Sequence, residues 1–235
     1  MISFKKQRLP TESFTQPDTY RQIRLPVDQA STLIPDAYTS DDFFALEQEK
    51  IFSNSWVAVG CLPQVSKQGD ILVTEVAGRS ILVIRSKEDK LEAFYNVCRH
   101  RGSKLLNESC NIKSIRCPYH SWVYGLDGKC LGTPMFQNEN TAGKETEMTD
   151  ADHFDKKDYG LYSVSVRSWG FLIFVNLSMG ISNGVSEDNV TAGFEEWLGD
   201  LPQKFRSHAL EKWRISKEKN YDVASNYKLI EENFM

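Results

Sequence analysis

Hydrophobic spacing changes twice along the chain, and the changes divide it. Residues 1–35 are polar and interrupted by Pro10, Pro17, Pro26 and Pro35, which predicts an extended arm lying on another surface. Thr39-Ser40-Asp41-Asp42 predicts a helix start, with Thr39 at the N-cap and Asp42 three residues on. Phe44, Ala45, Ile51 and Phe52 share one face of that helix, which should end near Asn54. From Trp56 the period becomes two. Trp56–Gly60, Asp70–Ala77, Arg79–Arg85 and Leu91–Val97 read as strands separated by turns at Gln68-Gly69, Ala77-Gly78 and Lys87–Lys90. The run Ser80–Ile84 is apolar on both faces and predicts a central strand.

Two more strands flank the tight turn Leu126–Lys129, namely Trp122–Tyr124 and a return from Cys130. Leu161–Val166 and Phe171–Leu177 predict a final hairpin around Ser168-Trp169-Gly170. Between them, residues 137–158 hold seven acids against three lysines and read as a solvated loop carrying His153 on the surface. After a Gly/Ser-containing linker, Ser186 caps a helix with Val190, Phe194, Trp197, Leu198 and Leu201 on one face, stopped by Gly199 and Pro202. Trp213, Ile215, Tyr221 and Val223 alternate as in a strand. Asn226–Met235 predicts a helix with Leu229, Ile230 and Phe234 on its apolar side.

Many short antiparallel strands joined by turns predict a small β-sandwich or barrel. A chain of 235 residues with 40% hydrophobic and 26% charged residues can bury a core of ordinary soluble type. Its net charge of −4 gives no footprint for nucleic acid. No apolar run reaches the roughly 20 residues of a membrane helix. Met1–Lys6 lacks an apolar segment behind its two lysines, so no secretory leader is expected. The five cysteines, Cys61, Cys98, Cys110, Cys117 and Cys130, lack disulfide-framework spacing, which suits a reducing compartment; a cytoplasmic location is expected.

Candidate chemistry is concentrated between Cys98 and His120. Cys98-Arg99-His100 and Cys117-Pro118-Tyr119-His120 each supply one thiol and one imidazole. A Rieske [2Fe–2S] centre uses that ligand set, two thiolates on one iron and two imidazoles on the other. Structural zinc can also take two Cys and two His, but its usual pattern places the Cys in one knuckle and the His on a helix. Pro118 and the strand-like Trp122–Tyr124 argue against a helix here. Cys98, His100, Cys117 and His120 are therefore the candidate metal and cofactor ligands. Arg99, Arg101 and loop amides are candidate donors toward the sulfurs, and Tyr119, Trp122 and Tyr124 are expected to shield the cluster.

Asn96–Gly102, Cys117–Trp122, Tyr124–Gly128, Tyr159-Gly160-Leu161, Asn226–Leu229 and Glu232-Asn233-Phe234 together resemble the α-subunits of Rieske non-haem iron oxygenases, the ring-hydroxylating dioxygenases and their choline- and carnitine-monooxygenase relatives. The resemblance implies a mainly β Rieske domain followed by the start of an α+β catalytic domain. The implied division is an arm at 1–38, a Rieske domain with its opening helix at 39–180, and a linker with the beginning of the catalytic domain at 181–235. It also implies a mononuclear Fe(II) centre in the longer protein, fed with electrons by a ferredoxin or flavin reductase and acting with O₂ on a small organic substrate in a homo-oligomer, a trimer. Asn233 matches a family residue near that iron; the iron's own ligands lie beyond Met235, so this chain alone is expected to be inactive as an oxygenase. Ser121 stands where the family usually has Gly. Ser103 and Tyr119 stand where respiratory Rieske proteins carry a disulfide, so a potential in the lower part of the Rieske range is expected. The competing reading is a stand-alone Rieske ferredoxin-type electron carrier, for which residues 186–235 would have no purpose.

Overall fold

A computed structural model describes residues 9–87, 89–134, 154–179 and 186–234. His153 and most of the acidic loop lie outside the described residues. The chain forms two compact units, Phe52–Ser216 and the pair Met1–Ile51 with Lys217–Met235.

The larger unit holds strands β1 (Val57–Cys61), β2 (Asp70–Val76), β3 (Arg79–Arg85), β4 (Leu91–Tyr95), β5 (Cys110–Asn111), β6 (Ile115–Arg116), β7 (Val123–Tyr124), β8 (Cys130–Gly132), β9 (Ser165–Trp169) and β10 (Leu172–Asn176). They pair antiparallel in three sheets, ordered β1-β10-β9, β4-β3-β2-β5 and β6-β7-β8. Ala77-Gly78 makes the β2–β3 turn with both residues at positive φ, the conformation a tight two-residue hairpin requires. β3 is central, as its apolar run predicts, and its alternation serves two cores. Ile81 and Val83 face a cluster that includes Val65, Val166, Ile173 and Val175. Leu82 and Ile84 face a second cluster that includes Cys98, Cys117, Trp122 and Tyr124. The buried run Ile81–Ile84 thus packs on the sheet of β1, β9 and β10 on one face and on the ligand loops on the other.

The last hairpin differs from the expectation. Its first strand is Ser165–Trp169, so Ser168 and Trp169, assigned to the turn by sequence, pair instead with Ile173 and Leu172. Gly170, at φ +59, alone takes the left-handed position. Helix α3 (Glu187–Leu198) begins at Ser186, whose hydroxyl accepts from the Asn189 amide, and ends at Gly199. It buries Val190, Phe194 and Leu198 against Trp56 and Phe174, whereas Trp197 is half-exposed. Pro202 does not stop a helix; it sits in the first turn of the next one, Leu201–Lys204. No strand forms over 213–223, where Trp213, Ile215, Tyr221 and Val223 are all exposed. Alternation without a partner strand leaves nothing to bury.

In the smaller unit the described part of the arm, from residue 9, is not extended throughout. It coils into 3₁₀ turns at Thr11–Thr15 and Pro17–Tyr20, which bury Phe14 edge-on to Phe43 at 5.1 Å. Helix α1 (Asp36–Thr39) precedes α2 (Asp41–Glu47), and the N-cap of α2 is Ser40 rather than Thr39. The Thr39 hydroxyl is engaged with the Pro35 carbonyl at 3.0 Å. Phe44 and Ile51 point outward; Glu47 is buried instead. On the helix at Tyr227–Phe234, Leu229, Ile230 and Phe234 are exposed, and Lys228 is buried. One ion pair explains both inversions. Lys228 Nζ donates to Glu47 Oε2 at 2.6 Å and Tyr227 OH to Oε1 at 3.1 Å, with the pair's side chains only 10% and 8% exposed. Periodicity counts apolar positions and cannot see a buried charge that finds its partner about 180 residues away in sequence.

Removing one partner of such a pair strands a buried charge and costs about 3 kcal/mol or more. Lys228→Ala is therefore expected to lower urea-unfolding stability by about that much and to speed amide exchange in α2 and in Tyr227–Phe234, while Glu47→Leu with Lys228→Met recovers most of the loss.

Candidate metal centre

Two loops carry the candidate ligands, and they have one shape. In the first, the Cys98 amide donates to the Ser103 carbonyl at 2.8 Å, and the Gly102 amide donates back to the Cys98 carbonyl at 3.0 Å. In the second, the Cys117 amide donates to the Trp122 carbonyl at 2.8 Å, and the Ser121 amide donates back to the Cys117 carbonyl at 3.1 Å. The fourth residue after each Cys closes the tip at positive φ, +69° for Gly102 and +59° for Ser121. Strand pairing clamps both bases, Val97 with Lys104 and Arg116 with Val123. Only the histidine offset differs, two residues after Cys98 and three after Cys117.

Facing one another, the tips re-sort their donors. Each loop supplies one Cys and one His, yet the Cys98 and Cys117 thiols hydrogen-bond to each other. The rings of His100 and His120 meet with centroids 4.7 Å apart. Sulfur is gathered on one side and imidazole on the other. His120 Nδ1 is buried with no hydrogen-bond partner among protein atoms, a costly state for a nitrogen lone pair unless a metal takes it. Among the described residues, no three His, Cys, Asp or Glu side chains converge on one ion. The donors come as two pairs, and a [2Fe–2S] cluster asks two protein side chains of each iron.

Residues 55–148 match the family model of the Rieske [2Fe–2S] domain. Glycine betaine monooxygenase oxygenase subunit of Pseudomonas aeruginosa is 32% identical over 207 residues, 88% of this chain and 43% of that one. The chloroplastic choline monooxygenase of Spinacia oleracea is 26% identical, with 96% of this chain and 49% of that one covered. A solved structure of the apo form of the quaternary ammonium Rieske monooxygenase CntA superposes with a TM-score of 0.72 at 25% identity, covering 97% of this chain and 58% of that one. This is a Rieske-domain chain, and its relatives are Rieske oxygenase subunits. It spans about half the length of the curated relatives it matches.

The Rieske domain surrounds both sulfurs with hydroxyls. Tyr124 OH lies 3.2 Å from Cys98 Sγ and accepts the Arg99 amide at 3.0 Å. Burial and the Cys98 contact raise the phenol's pKa far above its ordinary value, so it stays protonated. Either atom can donate while Cys98 keeps its proton; once the cysteine is a thiolate it can only accept, and Tyr124 donates to the sulfur. The Ser103 hydroxyl donates to the Lys104 carbonyl at 3.4 Å and also helps to lower the pKa of Cys117. Tyr124 is thus a fully buried cover over the candidate ligands, as expected, and a hydrogen-bond partner of one of them as well.

Burial raises the Cys98 thiol's pKa. For Cys117, burial is outweighed by the Tyr119 and His120 amides and by contact with Cys98 and Ser103, and its pKa is lowered. Burial, then the neighbouring His120 and Arg101, lowers the pKa of His100 and keeps it neutral at pH 7, the form that binds metal.

Trp122 is fully buried and stacks on His100 at 4.9 Å, so it does shield. Phe154 and Tyr159 pack edge-on to it, two residues without a separate signal in the ligand motifs. Tyr119 is 60% exposed, its ring 3.8 Å from that of His120, and shields little. Arg99 does not reach the sulfurs with its side chain. It donates to the Gly160 carbonyl at 2.7 Å and covers the Tyr162 ring at 3.8 Å, which gives the Tyr159-Gly160-Leu161 motif its role. Asn233 is exposed in the other unit.

Two substitutions read this geometry. Ser121→Gly removes a Cβ from a left-handed position and is expected to stabilise the cluster-loaded protein by about 1 kcal/mol, seen as a higher Tm. Tyr124→Phe deletes a donor to a ligand sulfur and is expected to lower the reduction potential by about 50 mV in a spectroscopic redox titration, since a net hydrogen bond is worth roughly 1 kcal/mol.

Proposed function

We propose that Cys98 and Cys117 hold one iron and His100 and His120 the other, and that the chain is the electron-receiving part of an oxygenase subunit. The observation that supports this is the re-sorting at the loop tips, which converts two Cys-and-His pairs in sequence into a sulfur pair and an imidazole pair in space. When bound, such a cluster stores one electron at a potential that its ligands and their hydrogen bonds set. The chain's own residues do the rest. Tyr124 and Ser103 stabilise negative charge on the sulfurs, and Trp122 excludes water from one side of His100. The two histidines reach the partly exposed edge of the domain, where an electron can enter or leave.

In the longer protein, electrons would come from a ferredoxin or flavin reductase and pass to a mononuclear Fe(II) site that uses O₂ to hydroxylate a small organic substrate. The division into an arm at 1–38, a Rieske domain at 39–180 and the start of a catalytic domain at 181–235 belongs to this reading, as does a homotrimeric assembly. Asn233 would stand near the second iron. Relatives named for glycine betaine, choline and carnitine support a quaternary ammonium compound as substrate. The exposed Leu229, Ile230 and Phe234 would be covered by the catalytic domain. As given, the chain would carry the cluster without hydroxylating anything.

Anaerobic reconstitution with iron and sulfide is expected to give about two irons per chain, visible absorption, and a dithionite-induced spin signal. Cys117→Ser and His120→Ala should each abolish that signal. Stoichiometric zinc in a colourless protein would overturn the assignment, and hydroxylation by the chain alone would overturn its truncated role.

A further inference from the structure

Within the larger unit, a cavity of about 470 Å³ lies between the end of β3, the tip of the last hairpin and residues 211–214. Its charged lining is balanced, Arg85 and Arg214 against Asp89 and Glu211. Both guanidiniums are braced on main chain. Arg85 Nε donates to the Val65 carbonyl and Nη1 to the Asp89 carbonyl, each at 2.9 Å. Arg214 Nη1 donates to the Trp213 carbonyl at 2.7 Å and to the Glu211 carbonyl at 3.3 Å. Nη2 of each makes no hydrogen bond to a described residue. Asp89 Oδ1 lies 3.7 Å from Arg85 Nε, whereas the exposed Glu211 carboxylate has no ion-pair partner among the described residues. The apolar wall includes the rings of Phe171 and Trp213, with centroids 5.5 Å apart. The Trp213 indole N–H is already given to the His208 carbonyl at 3.0 Å, so this half-exposed ring has only π-face and carbon edge left to offer.

We propose that this cavity binds a zwitterionic α-amino acid with a large apolar side chain, its carboxylate on Arg85 and Arg214, its ammonium on Glu211, and its apolar body against Phe171 and Trp213. Guanidiniums already held in place can take a carboxylate with little further ordering of their own side chains. A carboxylate without a partner, beside an indole face, suits an ammonium. A ligand with a single charge finds a match in one pair of lining residues and like charge in the other, so both charges are needed for full affinity. The proposal does not depend on what Cys98, His100, Cys117 and His120 hold.

Three probes share one phenyl body: L-phenylalanine, 3-phenylpropanoate, which lacks the ammonium, and 2-phenylethylamine, which lacks the carboxylate. Calorimetric titration of the whole chain at low salt is expected to give L-phenylalanine a Kd of about 1 mM or tighter, and each single-charge analogue a Kd about fivefold weaker or more. Arg214→Gln should erase the advantage of L-phenylalanine over 2-phenylethylamine and keep its advantage over 3-phenylpropanoate. Glu211→Gln should do the reverse. Arg79→Gln, an exposed change at the far end of β3, should leave all three affinities as they are. Absence of saturable L-phenylalanine binding up to about 20 mM, equal affinity for the three probes, or the same loss of selectivity in Arg214→Gln and Glu211→Gln would overturn the proposal. Should either variant fail to fold, the three-probe comparison on the wild-type chain decides by itself.

Discussion

The arrangement depends on two backbone frames, one around each ligand cysteine. In each, the cysteine amide and carbonyl are both tied within the same tip, to the carbonyl five residues on and the amide four residues on. These bonds fix where each Cα stands before any side chain is considered. The thiols then meet because the frames face each other, and the imidazoles meet because the histidines leave the frames at different offsets. An equal offset in both loops would place the two rings equivalently with respect to their tips. The one-residue difference between Cys98-Arg99-His100 and Cys117-Pro118-Tyr119-His120 is what makes two like tips present their histidines differently.

Support for the frames comes from β3. Leu82 and Ile84 press on the cluster side while Ile81 and Val83 press on the opposite sheet, so the ligand loops share a strand with the most buried part of the domain. Glycine is needed at one further place in this support. Gly128 sits at φ +75° with Phe94 so close that a Cβ would fall 2.3 Å from the ring, and its carbonyl receives the Leu161 amide at 2.8 Å. The turn is thereby locked between the central sheet and the segment that positions Tyr159 and Gly160.

Much of this was legible in the sequence, and the reasons are specific. β3 was readable because a strand buried on both faces leaves an unbroken apolar run. The four candidate donors stood out because few chemistries need two Cys and two His in that spacing, and the fold brings the two histidine rings together. The start of α3 followed from Ser186, a local signal satisfied locally. The failures share a cause, which is dependence on something remote. The inward face of α2 was misassigned because Glu47 is buried by Lys228 and Tyr227, and the strand at 213–223 because no partner strand meets it. At the candidate metal centre, Tyr124 was readable as a residue but not as a partner of Cys98, since their hydrogen bond depends on how two hairpins face each other. The slip in the final hairpin was of another kind, a turn centred on Gly170 whose flanking residues also suit a strand.

The frames around Cys98 and Cys117 are closed entirely by main-chain groups, with no bond that waits for iron. Their geometry therefore belongs to the polypeptide and not to the inorganic core. Side chains at either tip can thus change what the cluster meets without changing the path of the loop that holds it.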